Sequence, residues 1–167
     1  RLFFRDARWG NLILCIGVLT MFGGALLAVF SIDLKRTLAC SSMSQIGFIL
    51  VGIGMQGLLG EENALAVRGT MLHMINHSLI KLVLFSIAGV IYMGAHALDL
   101  NKIRGYGRKK PLLAACFLAG ALSIAGIPLF SGYVSKTLLH EAIVEYGSSL
   151  RTVEWIFLLS GGMTLCY

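Results

Sequence analysis

His73-Met-Ile-Asn-His77-Ser-Leu-Ile-Lys81 lies inside a stretch, Gly69 to Gly94, that carries no other titratable side chain apart from Tyr92 near its end. The spacing is i, i+4, i+8. On a helix of about 3.6 residues per turn such a series falls along one stripe, so three titratable groups face one direction. A membrane span needs about 20 consecutive apolar residues, and this stretch is long enough. Ionisable groups within a span are costly, and their ordinary reading is an ion or proton path.

The flanking sequence has the same character. Asn11 to Ile32, Thr37 to Gly60 and Pro111 to Ser135 contain no charged residue. The chain is 57% hydrophobic and only 13% charged, where a soluble domain carries about 25% charged residues. Soluble, nucleic-acid-binding and disordered classes are excluded on that ground. The net charge of +6 then reports basic cytoplasmic loops rather than a nucleic-acid surface. Cys15, Cys40, Cys116 and Cys166 are scattered through apolar runs without a CxxC or metal spacing, and read as packing residues.

The fold expected is all-α: a polytopic transmembrane helical bundle in one membrane domain, 1–167, with helices at approximately 10–32, 37–58, 65–95, 111–147 and 152–167. Backbone polar groups in lipid must be satisfied within the segment, which favours helices. No alternation of period two supports a β-barrel. The 20 glycines suit close helix packing in lipid. Arg1 is not an initiator methionine, no signal peptide precedes it, and the run after Glu154 reaches Tyr167 in about 13 residues, too few to cross. These ends predict an internal fragment of a larger multi-span protein, with the last helix truncated.

Counting spans places Lys35, Arg36, Lys102, Arg104, Arg108, Lys109 and Lys110 on one side, which the positive-inside rule assigns to the cytoplasm. The other side carries Arg68, Arg151, Glu61, Glu62, Glu141 and Glu145, together with Arg1, Arg5 and Arg8, which weaken the contrast.

The fourth span is interrupted at Ala125-Gly-Ile-Pro-Leu-Phe-Ser-Gly132. Pro128 removes a donor and clashes with the preceding turn, and Gly126 and Gly132 relax the backbone beside it. A straight helix over 111–147 would be roughly 55 Å long, against a hydrocarbon core of about 30 Å. A broken helix is therefore expected near Pro128, with Lys136 two turns beyond it. Discontinuous helices expose free backbone groups where transporters bind ions.

Lys81 stands near the centre of its span, where desolvation penalises the charged form. It is a candidate proton site, the alternative being a lysine that snorkels or ties to a backbone carbonyl. His73 and His77 are candidate relays through water, or else satisfied histidines holding neighbouring helices. A metal half-site at i, i+4 is disfavoured: Met74 follows His73 where HExxH has glutamate, and no carboxylate lies in the central spans. Lys136 is argued as Lys81 is, its alternative being an interfacial lysine. Asp33, Lys35 and Arg36 form a tight turn whose plain reading is a solvated loop. Ser41, Ser42, Ser44 and Gln45 make a polar patch that serves as interhelical glue or holds water. His96 and His140 read as surface residues near the interfaces. Nucleophile-elbow, Walker A, dinucleotide-binding and haem-attachment motifs are absent, so no cofactor is expected.

Three motifs, in order, resemble one family. Asp33-Leu-Lys-Arg-Thr-Leu-Ala-Cys-Ser-Ser-Met-Ser-Gln-Ile-Gly-Phe48 is similar to a signature of the antiporter-like subunits of respiratory complex I, Mrp-type sodium/proton antiporters and membrane-bound hydrogenases, in which tyrosine usually stands where this chain has Cys40. His73 to Phe85 resembles that family's histidine–histidine–lysine helix, and Gly126 to Lys136 its broken helix with a terminal lysine. The resemblance implies about fourteen spans built from two inverted five-helix repeats, this chain matching spans nine to thirteen. It implies that Lys81 is the central lysine of the proton path, that His73 and His77 lie along a hydrated axis, and that Lys136 connects to one side of the membrane. Asp33 and Lys35 would couple to neighbouring helices or subunits. The implied function is proton translocation in a redox-driven pump of the NADH:quinone oxidoreductase or hydrogenase type, in an inner (plasma) membrane of a prokaryote, with other membrane subunits as partners and protons or sodium as cargo. An Mrp-type antiporter subunit and a purely structural membrane subunit are the rival readings.

Overall fold

The computed structural model describes residues 7–60, 64–146 and 150–166. Arg1, Arg5, Glu61, Glu62, Gly147 and Tyr167, which entered the charge and boundary readings, lie outside the described residues. Among the described residues seven helices follow one another: α1 (Ala7–Val29), α2 (Leu34–Leu59), α3 (Ala64–Ala95), α4 (Tyr106–Lys109), α5 (Pro111–Ala125), α6 (Ser131–Glu145) and α7 (Arg151–Met163). Among the described residues, α1, α2 and α3 are long and apolar enough to cross a membrane, and α5 is a shorter apolar helix.

The helix ends follow from local chemistry. Asp33 caps α2, its carboxylate accepting from the backbone N–H of Lys35 at 2.9 Å and of Arg36 at 3.1 Å. This satisfies two of the donors that a helix start leaves free. The same turn is tied to the loop after α3 through Leu34 N–H to Leu98 O and Leu100 N–H to Ile32 O, at 2.9 and 3.0 Å. Pro111 opens α5, where its missing N–H costs nothing.

The segment read as one span over 111–147 is two helices of 15 residues each. At 1.5 Å per residue each is about 22 Å long, so neither alone matches a bilayer core of about 30 Å. α5 ends where Gly126 turns left-handed at φ 80°, and Ile127 N–H reaches back to Leu122 O at 3.3 Å, closing the helix in the manner of a Schellman cap. Pro128 lies in the irregular link rather than inside a kinked helix. Leu129 in that link also has positive φ, 84°, a strained conformation for a side chain with a Cβ.

α1 and α2 run antiparallel with their backbones in contact. Gly10, Gly17 and Gly24 recur every seventh residue on α1, and Gly47 and Gly54 do so on α2. A Cβ at Gly17 would stand 2.7 Å from Val51 N, and one at Gly54 2.9 Å from Leu14 N. Cβ atoms at Gly24 and Gly47 would collide with the Ser44 and Met21 backbones. In lipid, where apolar side chains gain little by pairing, such close approach supplies the packing energy.

Two apolar clusters flank a polar seam. One joins Leu14, Met21, Phe48, Val51, Met55, Ala66, Leu139, Ile143 and Phe157; the other joins Leu34, Leu38, Leu84, Ala88 and Ile124. Buried with them are Ser41, Ser44, Gln45, Thr70, His73, Lys81, Ser123 and Ser135. Large apolar side chains such as Leu19, Phe30, Leu79 and Leu82 are exposed instead. This inverted pattern suits an apolar surrounding.

Gly47→Leu drives a side chain into the Met21 backbone and is expected to destabilise by about 1–3 kcal/mol. Gly23→Leu, where an added Cβ meets nothing within 4 Å, is expected to be close to neutral. The midpoint of thermal unfolding in detergent compares the two.

Candidate functional site

The i, i+4, i+8 stripe of α3 faces inward. His73 and Lys81 are 3% and 6% exposed, and His77 is partly buried. The opposite face, with Met71, Ile75, Leu79 and Leu82, is exposed. The Lys81 amine crosses to α2, donating to Leu38 O at 2.8 Å and to the Ser41 hydroxyl. Ser41 and Ser42 hydroxyls also donate to Leu38 O, at 3.0 and 2.9 Å. The serine patch of α2 is therefore the wall against which the lysine rests. Lys81 does not snorkel. It makes the carbonyl tie that stood as an alternative, beside a hydroxyl that both accepts and donates.

Four residues earlier, His77 stacks on His73 with ring centroids 6.5 Å apart and planes 15° from parallel. His73 Nδ1 lies 3.0 Å from the Ser135 hydroxyl on α6, and that hydroxyl donates to Gly132 O at 3.1 Å. A serine has one hydroxyl proton, so when it is given to Gly132 the His73 Nδ1–H donates to Ser135, and in the neutral ring Nε2 is then the acceptor. His73 Nε2 and His77 Nδ1 are buried without a protein hydrogen-bond partner among the described residues. Such nitrogens favour water beside them.

Lys136 follows Ser135 directly. Its amine returns across the break to Ile124 O at 2.7 Å and also reaches Oγ1 of Thr164, the residue that follows α7, at 3.3 Å. The break explains this arrangement. Carbonyls of a last helical turn have no intrahelical donor, and the negative end of the helix dipole favours a cation. The amine also lies 5.2 Å from the centre of the Phe48 ring, a cation–π distance. A central charge costs about 2.5–3.5 kcal/mol on insertion scales, and each hydrogen bond to a charged group contributes about 1.5–3 kcal/mol. Two acceptors for Lys81 and three for Lys136, Ala125 O being the third at 3.5 Å, are thus of the size needed to hold the amines in place.

The three motifs converge unequally. The stripe of α3 meets the serine patch of α2 through Lys81, and the broken helix through His73 and Ser135. Gly132 admits the break's tight closure, since a Cβ there would collide with Ser123 O. Asp33 acts as the helix cap already described, and Lys35 is exposed on the same turn.

Some residues went unread in the sequence. Phe48 lies between the two branches, 5.9 Å from the His73 ring and 4.8 Å edge-on from Phe157. Ser135, inside the broken-helix motif but given no role there, and Thr164, outside the motifs, supply partners. His140, read as a surface residue, is partly buried. It packs 6.1 Å from Phe157 and lies 3.4 Å from Glu154. Its place four residues after Lys136, the spacing already seen on α3, was the available signal.

Comparison with known proteins follows the same lines. Residues 1–164 match the family model described as NADH:quinone oxidoreductase/Mrp antiporter, transmembrane. Formate hydrogenlyase subunit 3 of Escherichia coli (strain K12) is 32% identical over 146 residues, covering 84% of this chain and 24% of that protein. NAD(P)H-quinone oxidoreductase chain 4 1 of Synechococcus elongatus is 34% identical over 160 residues, covering 95% of this chain and 29% of that protein. A chain in the structure of the Mrp complex from Dietzia sp. DQ12-45-1b superimposes with a TM-score of 0.84 at 28% identity, covering 96% of this chain and 28% of that one. This chain thus spans less than a third of the length of these relatives. It belongs to the transmembrane NADH:quinone oxidoreductase/Mrp antiporter family, and is an integral membrane protein of the antiporter-like kind.

Proposed function

We propose that this chain is the part of a proton-translocating membrane subunit that carries the second lysine-based half of the path, and that protons pass along Lys81, His77, His73 and Lys136. The observation that carries the reading is the pair of amines, Lys81 of α3 bonded to α2 and Lys136 of α6 bonded to the α5 carbonyls, with the stacked histidines and Ser135 standing between them. Each step would be a proton passing between neutral and protonated forms of a side chain, with water filling the gaps beside the unpartnered imidazole nitrogens. No substrate bond is made or broken by these residues. Phe48 stands beside both branches, its ring 5.9 Å from the His73 ring and 5.2 Å from the Lys136 amine.

On this reading α1, α2, α3 and the pair α5 with α6 make four membrane crossings and α7 enters a fifth, as a single domain within a longer subunit. The basic turns at Lys35–Arg36 and Lys102–Lys110 face the cytoplasm, in the plasma membrane of a prokaryote. Asp33 and Lys35 would pass movements of the α2 turn to neighbouring subunits of a redox-driven complex. The similarity to a chain of an Mrp complex supports a second reading, exchange of sodium for protons. Sodium-dependent dissipation of a proton gradient in vesicles separates the two.

Lys81→Ala in the full subunit is expected to lower coupled proton translocation about a hundredfold, the lower end of what a positioned proton carrier contributes, while the complex still assembles. Proton uptake by proteoliposomes per electron transferred measures it. An unchanged ratio sinks the proposal. Lys136→Met is expected to do the same. If both lysine variants transport normally, a purely structural role replaces the pump.

A further inference from the structure

The segment that joins α3 to α5 folds over an apolar groove of about 410 Å³. Ile87 and Ile91 of α3 form one wall, Ala114 and Phe117 of α5 the other, and Ile103 and Tyr106 close the end. Among the described residues that line it, the Tyr106 hydroxyl is the only polar side-chain group. Leu118, on its margin, is 58% exposed, so the groove opens at the surface of the bundle. The closing segment is held in place. Leu100 N–H donates to Ile32 O and Tyr106 N–H to Ile103 O, each at 3.0 Å. Tyr106 lies against α3 where Gly94 has no side chain, and an added Cβ there would collide with the tyrosine hydroxyl. The same segment carries Lys102, Arg104, Arg108, Lys109 and Lys110, all exposed. The Lys110 ammonium lies 5.7 Å from the centre of the Tyr106 ring, a cation–π distance, which sets a positive charge at the closed end of the groove. The one carboxylate of this segment, Asp99, is engaged by Asn101 N–H at 3.0 Å.

We infer that this groove binds an anionic phospholipid, with one acyl chain between α3 and α5 and the headgroup phosphate against the basic segment. The inference goes beyond the proton path and does not depend on it. Walls and cations call for the two halves of one amphipathic molecule. An apolar cavity stays dry, and left empty its lining loses dispersion contacts. Hydrocarbon is what fills it. A helix of another subunit is about 10–12 Å across with its side chains, so a single turn of it would take up the whole volume, whereas an acyl chain is thinner and fits between the walls. The cations then select the headgroup. Basic pockets between membrane helices bind anionic headgroups, and each Lys or Arg near such a group is worth about fivefold in affinity. A zwitterionic lipid fills the walls equally well but gains little from the cations. Tyr106 stands at the junction of the two halves, the place an amphipathic ring takes at a membrane interface. The bound lipid braces the segment that Leu100 ties to the turn before α2.

The test uses the full subunit in its assembled complex, in detergent, with phosphatidylglycerol carrying a photoreactive diazirine on one acyl chain. Phosphatidylcholine with the same chains is the comparison, and mass spectrometry of the peptides locates the label. Phosphatidylglycerol is expected to label residues 103–118 about tenfold or more over phosphatidylcholine. Replacing Arg108, Lys109 and Lys110 together by glutamine is expected to remove most of that preference, while Arg151→Gln, on the opposite loop, leaves it unchanged. Ala114→Phe fills the groove without altering charge and is expected to lower labelling by both lipids. Equal labelling of the wild-type complex by the two lipids overturns the inference without recourse to any variant. No label at 103–118 in the assembled complex also overturns it, since a neighbouring subunit then occupies the groove. A preference that survives the triple glutamine variant rules out these cations as the headgroup site, and wild-type labelling in Ala114→Phe rules out the groove as the acyl-chain site.

Discussion

An ammonium group held away from water must find oxygen acceptors, and in a helical bundle nearly all backbone carbonyls are already taken. This protein meets the demand in two ways. Lys81 shares a carbonyl of α2 whose neighbourhood is enriched in serine hydroxyls. Lys136 uses a carbonyl set free because α5 stops at Gly126. The break near Pro128 is thus the source of the site: a continuous helix would have satisfied Ile124 O internally and left the second lysine without its seat. Both amines consequently have fixed addresses inside an apolar bundle.

The rest of the packing serves that arrangement. Heptad-spaced glycines bring α1 and α2 into backbone contact, which fixes the serine-bearing wall in front of α3. Ser44, on the same wall, donates to Met21 O at 2.9 Å and ties it to α1. Gly132 lets α6 approach the end of α5 closely enough for Ser135 to meet His73. Phe48 and Phe157 then fill the volume between the histidines and Lys136. Polar side chains are concentrated where helices meet, and apolar ones face outward. A chain surrounded by lipid gains nothing from burying leucine but loses several kcal/mol for each unsatisfied polar group.

Family membership and geometry bear on different links of the chain of inference. The match over residues 1–164 establishes what kind of protein contains these helices. The contacts establish which of its side chains stand together. His140 and Glu154 belong to the second kind of knowledge: neither falls in a family-like motif of the sequence, yet the fold brings them 3.4 Å apart.

Much was legible before any coordinates. Uncharged runs of span length required helices, because no other backbone form hides its polar groups in lipid. The four-residue spacing of His73, His77 and Lys81 put them on one stripe, since helical geometry is local. The glycine–proline interruption announced a break for the same reason. Contacts between distant segments were not legible. That Lys81 bonds Leu38 O, 43 residues away, that Ser135 meets His73, or that Phe48 covers Lys136 depends on how helices pack, and many packings are compatible with one set of apolar stripes. His140, 30% exposed, was read as a surface residue without the partners it has there. Its partners, Phe157 and Glu154, come from α7 through long-range contacts, not from any property of the residues adjoining His140.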